Sequence, residues 1–98
     1  MANADRSKAS VMASLSNPRR LLLLEEIIKR GSVASVGALA AACGMSVGLA
    51  SQHVRRLHID GLVKKRAEQR WVQLFPTNRA LTLVPVINML YATTPDQT

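Results

Sequence analysis

The chain is poor in the residues on which reactive or metal-bearing sites depend. Cys43 is its only cysteine. One thiol cannot close an internal disulfide, which makes a reducing compartment, the cytoplasm, the expected location. A soft metal needs several thiolate or imidazole ligands held together, and no spacing of Cys43, His53, His58 and Asp60 resembles such a set. No metal and no cofactor are expected. Aromatic residues are as scarce: one Trp, one Tyr and one Phe give little support to recognition of single strands by stacking. No apolar run approaches the roughly 18 residues of a membrane span. Residues 1–10 lack the apolar core of a signal peptide, so no membrane partner is expected. There is no glycine-rich phosphate loop and no nucleophile–base–acid set, which points away from an enzyme.

Acidic residues are few as well. Six Asp and Glu face 13 Lys and Arg, for a formal net charge of +7. The charge is also unevenly placed. No Asp, Glu, Lys or Arg lies between Gly31 and Val54, whereas Arg55 to Arg70 holds six basic residues and two acidic ones. Charge that only keeps a protein soluble would be scattered; charge gathered beside one segment implies a polyanionic partner. Ninety-eight residues suit a single domain, and at that size a dimer would add useful buried surface.

The stretch from Ser46 to His58 organises the rest. Ala50, Val54 and Leu57 fall at i, i+4 and i+7, one apolar stripe at helical period, while Ser51, Gln52, Arg55 and Arg56 lie off it. Ser46 can cap its start. Just upstream, Val36 to Cys43 reads as a short helix capped by Ser35, with Gly44-Met45 as a tight connection, the pattern of a helix-turn-helix. Earlier, Asn17-Pro18 opens a helix from Arg19 to Arg30 that Gly31 stops, with Glu25 and Lys29 spaced for an ion pair. Ala9 to Leu15 forms a first helix behind a disordered tail, residues 1–8. Ser32 to Ala34 is a very short strand or an extended lead-in. Gly61 ends the long helix. Leu62–Ala67 and Arg70–Phe75 then read as the strands of a hairpin with Glu68-Gln69 at its tip, Trp71 anchoring the second strand in the core. Asn78 caps a last helix through Tyr91, kinked or split at Pro85. A tail at 93–98 leaves 9–92 as one domain.

A helix-turn-helix, a basic two-stranded hairpin and a terminal apolar helix together predict a mainly α fold with a small β-hairpin, a winged helix-turn-helix. From Leu15 to Tyr91 the residues resemble the ArsR/SmtB family of bacterial winged-helix repressors. The likeness rests on Leu15-Ser16-Asn17-Pro18-Arg19-Arg20-Leu21, Val36-Gly37-Ala38-Leu39-Ala40, Ala50-Ser51-Gln52-His53-Val54-Arg55-Arg56-Leu57 and Asp60-Gly61-Leu62-Val63-Lys64. It implies a homodimer joined by the first and last helices, here through Val11, Met12, Leu15, Leu83, Ile87 and Leu90. Such a dimer would bind an imperfect inverted repeat in double-stranded DNA and control transcription. Two departures stand out. Metal-sensing members carry a cysteine pair around the positions of Ser35 and Gly37, and others have Asp, His and Glu ligands in the last helix; this chain has neither, and resembles the branch without a metal site. Val47-Gly48 also replaces the common Gln-Ser at the start of the reading helix.

On this reading Ser46, Val47, Gly48, Ser51, Gln52, His53, Arg55 and Arg56 form the DNA-reading face, and Lys64, Arg66 and Arg70 place the wing on the backbone. His53 has two readings, a phosphate contact or packing at the helix junction. Cys43 likewise reads as a small buried hydrophobe or as a redox switch paired with another subunit. The leading function is a dimeric repressor with no effector indicated. An activator that displaces a silencing protein would show the same features. The other class is a protein-interaction module using the charge-free Gly31–Val54 region, with an incidental basic patch; the Arg55–Arg70 cluster favours DNA.

Overall fold

The helices from α2 (Pro18–Arg30) onward each start at a side chain that accepts a hydrogen bond, and several end at a residue that tolerates a reversed backbone. In the computed structural model, which describes residues 2–93, the order is α1 (Ala2–Leu15), α2 (Pro18–Arg30), α3 (Val36–Cys43), α4 (Val47–Ile59), β1 (Val63–Glu68), β2 (Trp71–Pro76) and α5 (Asn78–Thr93). This is the expected mainly α, winged helix-turn-helix fold. The helix α1 begins at Ala2 instead of Ala9, because no glycine or proline interrupts residues 2–15; residues 2–8 of the expected tail are therefore helical. Of the expected C-terminal tail, all but Thr93 lies outside the described residues.

The caps are the ones the sequence offers. Asn17 Oδ1 accepts from the Arg20 N–H at 3.0 Å, Ser35 Oγ from that of Ala38 at 3.0 Å, and Ser46 Oγ from that of Leu49 at 3.1 Å. Each satisfies one N–H that the first helical turn leaves without a partner. The turn between α3 and α4 is built on Gly44, which has φ +66°. There the Met45 N–H reaches back to the Ala40 carbonyl and the Gly44 N–H to that of Ala41, the paired bonds of a Schellman ending. The end of α4 repeats the device at Gly61, φ +72°, with Leu62 N–H bonded to Leu57 and Gly61 N–H to His58. The ion pair on α2 joins Glu26 and Arg30, one residue along from the expected Glu25–Lys29 spacing.

One apolar core joins all the elements. Leu23, Leu24 and Ile27 of α2, Leu39 of α3, Val54 and Leu57 of α4, Leu62, and Leu74 of β2 are fully buried. A side chain of that size stabilises the fold by about 1.5–3 kcal/mol when fully buried, so three such residues on α2 alone fix its orientation. Ala40 and Ala50 are also buried and small, which lets α3 and α4 pack closely.

The hairpin pairs one residue later than the sequence suggested. Val63 faces Pro76 and Glu68 faces Trp71, leaving Gln69-Arg70 as the two-residue loop. Gln69 takes φ +54° at the first loop position, a positive value that the right-handed strand twist demands of short hairpin loops. The alternation along β2 corrects the reading of Trp71. Leu74 points into the core, so residues of the other parity, Trp71 among them, lie on the opposite face. Trp71 is 63% exposed near the tip and is not part of the core. On its other edge β2 pairs with Val33, whose N–H and carbonyl both bond Leu74, at 2.9 and 2.8 Å; the lead-in to α3 is thus a one-residue strand.

Asn78 is not the cap of α5. Thr77 Oγ1 accepts from the Ala80 N–H at 3.2 Å and also donates to the Gly61 carbonyl at 2.6 Å, a second bond that a cap one residue later does not make here. The helix then runs unsplit through Pro85 to Thr93.

Thr77 belongs to a knot at the end of α4. Three successive carbonyls, those of Asp60, Gly61 and Leu62, accept from Arg79 Nη1 (2.9 Å), Thr77 Oγ1 and the Thr77 N–H (3.2 Å). The Asp60 side chain, 6% exposed as a residue, accepts from Ser10 Oγ of α1 at 2.5 Å and from Arg56 Nε at 2.8 Å. The buried Ser14 hydroxyl lies near enough to favour the carboxylate without reaching hydrogen-bond geometry. Burial alone would raise the Asp60 pKa, but these donors and the Arg56 charge together hold it below the usual carboxylate value. Its native pKa being depressed, its contribution to stability is present above the ordinary carboxylate range and is lost as pH falls below it. Asp60→Asn is expected to lower stability by about 2 kcal/mol at neutral pH, the scale of hydrogen bonds to a charged group. In thermal melts the gap to wild type should narrow steadily as pH is lowered toward 3.

Candidate nucleic-acid interface

The buried residues of α4 decide what its other side offers. Ala50, Val54 and Leu57 hold the helix against the core, which leaves Val47, Gly48, Ser51, Gln52 and Arg55 on the exposed surface. Val47 is 55% exposed at the N-terminal end, and a Cβ built on Gly48 would meet nothing within 4 Å, so the helix start presents a smooth, unobstructed edge. Ser46 is exposed too, with its hydroxyl engaged as the cap. Hydrogen-bonding groups at Ser51 and Gln52 and a charge at Arg55 then stand in one row, suited in size and chemistry to base edges and phosphates.

Arg56 stands apart from this row. Its Nε bonds Asp60 and its Nη2 bonds Ser10 at 3.3 Å, so its guanidinium is turned toward α1. That tie depends on a residue 46 positions away and left no mark in the local pattern. His58 Nδ1 bonds the Val63 carbonyl at 3.0 Å, which fixes the wing's first residue to the end of the reading helix. Lys64, Arg66 and Arg70 are exposed on the wing. The structure therefore brings the helix and wing residues onto neighbouring elements, with Arg56 tied to Asp60 and Ser10.

His53 lies half-buried at the edge of the row. Burial, then the charges of Arg20 and Arg19, hold its pKa below the usual imidazole value, so it is neutral at physiological pH. The nearness of these two arginines from α2 is the part of the site that the sequence did not disclose: they are far away in the chain and only the packing of α2 on α4 brings them in.

Two further candidates resolve differently. Cys43 is partly buried at the end of α3 and packs against the core. Among the described residues no group of three or more His, Cys, Asp or Glu could hold a metal ion. Of the six residues expected to join two subunits, Val11 and Leu15 are buried in the protomer's own core, while Leu83 and Ile87 are partly buried against it. Met12 (64%) and Leu90 (62%) are exposed, and so are Met89 (62%) and Val86 (45%), which the sequence reading did not include. Val11, Met12 and Leu83 line a groove between α1 and α5. No helix among the described residues is long and apolar enough to cross a membrane.

Residues 16–70 match the model of the MarR family. The nodulation protein NolR of Rhizobium meliloti is 29% identical over 89 residues, 90% of this chain and 71% of the relative. The crystal structure of NolR from Sinorhizobium fredii superposes with a TM-score of 0.80 at 26% identity, covering 95% of this chain and 92% of that one. A homodimeric winged helix-turn-helix DNA-binding domain from Mycobacterium bovis, described as a possible ArsR-family transcriptional regulator, gives a TM-score of 0.88 at 26% identity, covering 99% and 89%. These likenesses place the chain among winged helix-turn-helix transcriptional regulators that bind DNA, not among enzymes. The family matched is MarR, where the residues resembled ArsR/SmtB.

The surroundings of Cys43 carry a prediction. Burial above all, with the Glu26 carboxylate adding and Arg30 partly offsetting, pushes its thiol above the ordinary range and suppresses the reactive thiolate. Labelling by a thiol reagent at neutral pH should be several-fold slower in the native protein than in urea. Cys43→Ser should leave DNA affinity unchanged with or without peroxide. Fast native labelling or a peroxide response lost in the variant would mark a redox switch instead.

Proposed function

The chain belongs to the MarR family of winged helix-turn-helix transcriptional regulators, and on that premise we propose that it acts as a homodimeric, ArsR-like repressor without a metal sensor, bound to an imperfect inverted repeat in duplex DNA. The observation that carries this reading is the row Val47, Gly48, Ser51, Gln52 and Arg55, exposed on a helix whose opposite side is fixed by three buried residues. A helix held so firmly can enter a major groove without losing its orientation. Gln52 has the geometry to pair with adenine through two hydrogen bonds, Val47 to touch a thymine methyl, and Ser51 and Arg55 to reach base edges or phosphates. Lys64, Arg66 and Arg70 supply phosphate contacts from the wing, which fix position and carry no sequence information.

Dimerisation is supported by the exposed Met12, Val86, Met89 and Leu90 on the terminal helices, and by the homodimeric state of the M. bovis domain. Two copies related by a twofold axis would set their reading helices in successive major grooves, about 34–36 Å apart, and so require a palindromic site. A dimer covering two turns of a promoter excludes polymerase by occupancy alone, and that makes repression the simplest output. The place of action is the cytoplasm, where DNA is accessible to a protein with one reduced thiol.

Two measurements test the proposal. On a duplex enriched from a random library, Gln52→Ala should weaken binding by about 1–3 kcal/mol and relax one operator position, while binding to scrambled duplex stays as it was. Equal losses on both duplexes would make Gln52 a backbone contact. By light scattering at micromolar concentration the wild type should be a dimer, and Met12→Glu should shift it toward monomer and lower operator affinity. A wild-type monomer with full affinity for a half-site would overturn the dimeric reading.

A further inference from the structure

The two flanks of the reading helix are not alike. At 100° per residue, the line through Ala50, Val54 and Leu57 marks the buried side of α4. Gln52 and Arg55 stand opposite it, Ser51 and His58 fall on one flank, and His53 and Arg56 on the other. The wing hangs from the His58 flank through the bond to Val63. On the far flank, His53 has Arg20 and Arg19 of α2 for its charged neighbours, and Arg56 is tied to Asp60 and Ser10. Positive charge therefore borders the reading helix on the side that the wing does not cover.

We propose that Arg19 and Arg20 form a second phosphate-binding flank, gripping the DNA strand on the side of the reading helix opposite the wing. Neither arginine takes part in the ion pairs found among the described residues, which join Arg30 to Glu26 and Arg56 to Asp60. Arg20 Nε is buried and has no hydrogen-bond partner. A guanidinium is the group whose planar fork best matches a phosphate, and although Nε itself is closed off, the half-buried Arg20 keeps a charge that no carboxylate answers, which an arriving phosphate would neutralise through the outer nitrogens of the fork. The end of α2 itself offers little to an anion, since Pro18 has no N–H and that of Arg20 is taken by Asn17. The side chains carry the site. Arg19 is exposed and Arg20 is half-buried near His53. With the wing arginines across the groove, the reading helix would be held from both sides, which fixes its angle in the groove as well as its depth.

This inference rests on the DNA-reading function above, and the test separates the two. Binding to a random-sequence duplex about three helical turns long is titrated over a range of salt for wild type, Arg19→Ala, Arg20→Gln and Arg70→Ala, with circular-dichroism melts to confirm folding. Each lost phosphate contact should reduce the slope of log K against log salt by about 0.9. Arg19→Ala and Arg20→Gln should each show that drop. Arg19→Ala combined with Arg70→Ala should show the sum of the two single effects, since the two residues grip different strands of the groove. Because Arg19 is exposed, its variant decides the matter even if Arg20→Gln is too unstable to measure. A folded Arg19→Ala with the wild-type slope, beside a wild type that binds with a clear slope and a Gln52→Ala that relaxes the operator, overturns this flank alone. A wild type that binds no duplex overturns both this flank and the function on which it rests.

Discussion

The buried carboxylate of Asp60 is the point through which the parts of this molecule are aligned. It receives Ser10 from α1 and Arg56 from the reading helix, while its own carbonyl and the two that follow are taken by Thr77 and Arg79 at the start of α5. A charge so buried is tolerable only when it is answered, and here the answering groups come from two helices, α1 and α4, while the start of α5 holds the adjoining backbone carbonyls. The elements with exposed apolar faces, α1 and α5, are thereby bolted to the C-terminal end of the helix that carries the reading row. Gly61 completes the arrangement. Its positive φ lets the chain turn toward the wing, and a Cβ there would stand 2.9 Å from Arg79 Nη1, displacing the guanidinium from the Asp60 carbonyl.

Electrostatics and packing divide the labour on α4 without competing. Three apolar residues set its position, and Arg56 of its charged residues turns inward to the Asp60 knot. The charge-free run from Gly31 to Val54 makes sense in these terms. It contains α3, the turn and the first half of α4, where close packing of small residues sets the angle between two helices and a long ionic side chain would hold them apart. Basic residues begin where the chain leaves that contact.

What was legible in the sequence was whatever is decided within a few residues. Asn17, Ser35 and Ser46 cap their helices because each lies next to the N–H groups it serves, and Gly44 and Gly61 end theirs because few other residues accept that backbone. The stripe Ala50, Val54, Leu57 depends only on helical period. Other features were settled by what lies beyond the local pattern, several of them by a partner distant in the chain. Thr77 and Asn78 are both competent caps, and the Gly61 carbonyl chose between them. Trp71 looked like core by composition, but it lies three positions from the buried Leu74 and so on the opposite face of the strand. Arg56 belongs to the basic cluster by position and to Asp60 and Ser10 by contact. Val11 and Leu15 were read as surface for a second subunit, and the protomer's own core took them. Arg19 and Arg20 gave no sign of meeting His53 because nothing in either segment encodes how α2 crosses α4.

The single bridge between Val33 and Leu74 has a consequence for the order in which the molecule assembles. It closes a loop of roughly forty residues, and joining the ends of so long an unstructured span costs chain entropy that two hydrogen bonds do not return. Once α3, α4 and the hairpin have formed, the two ends are already near and the cost largely vanishes. Those elements are built from local contacts, which form fast. The sheet therefore gains its third member late, after the helix-turn-helix it encircles is in place, and until then the edge of β2 at Leu74 stays open.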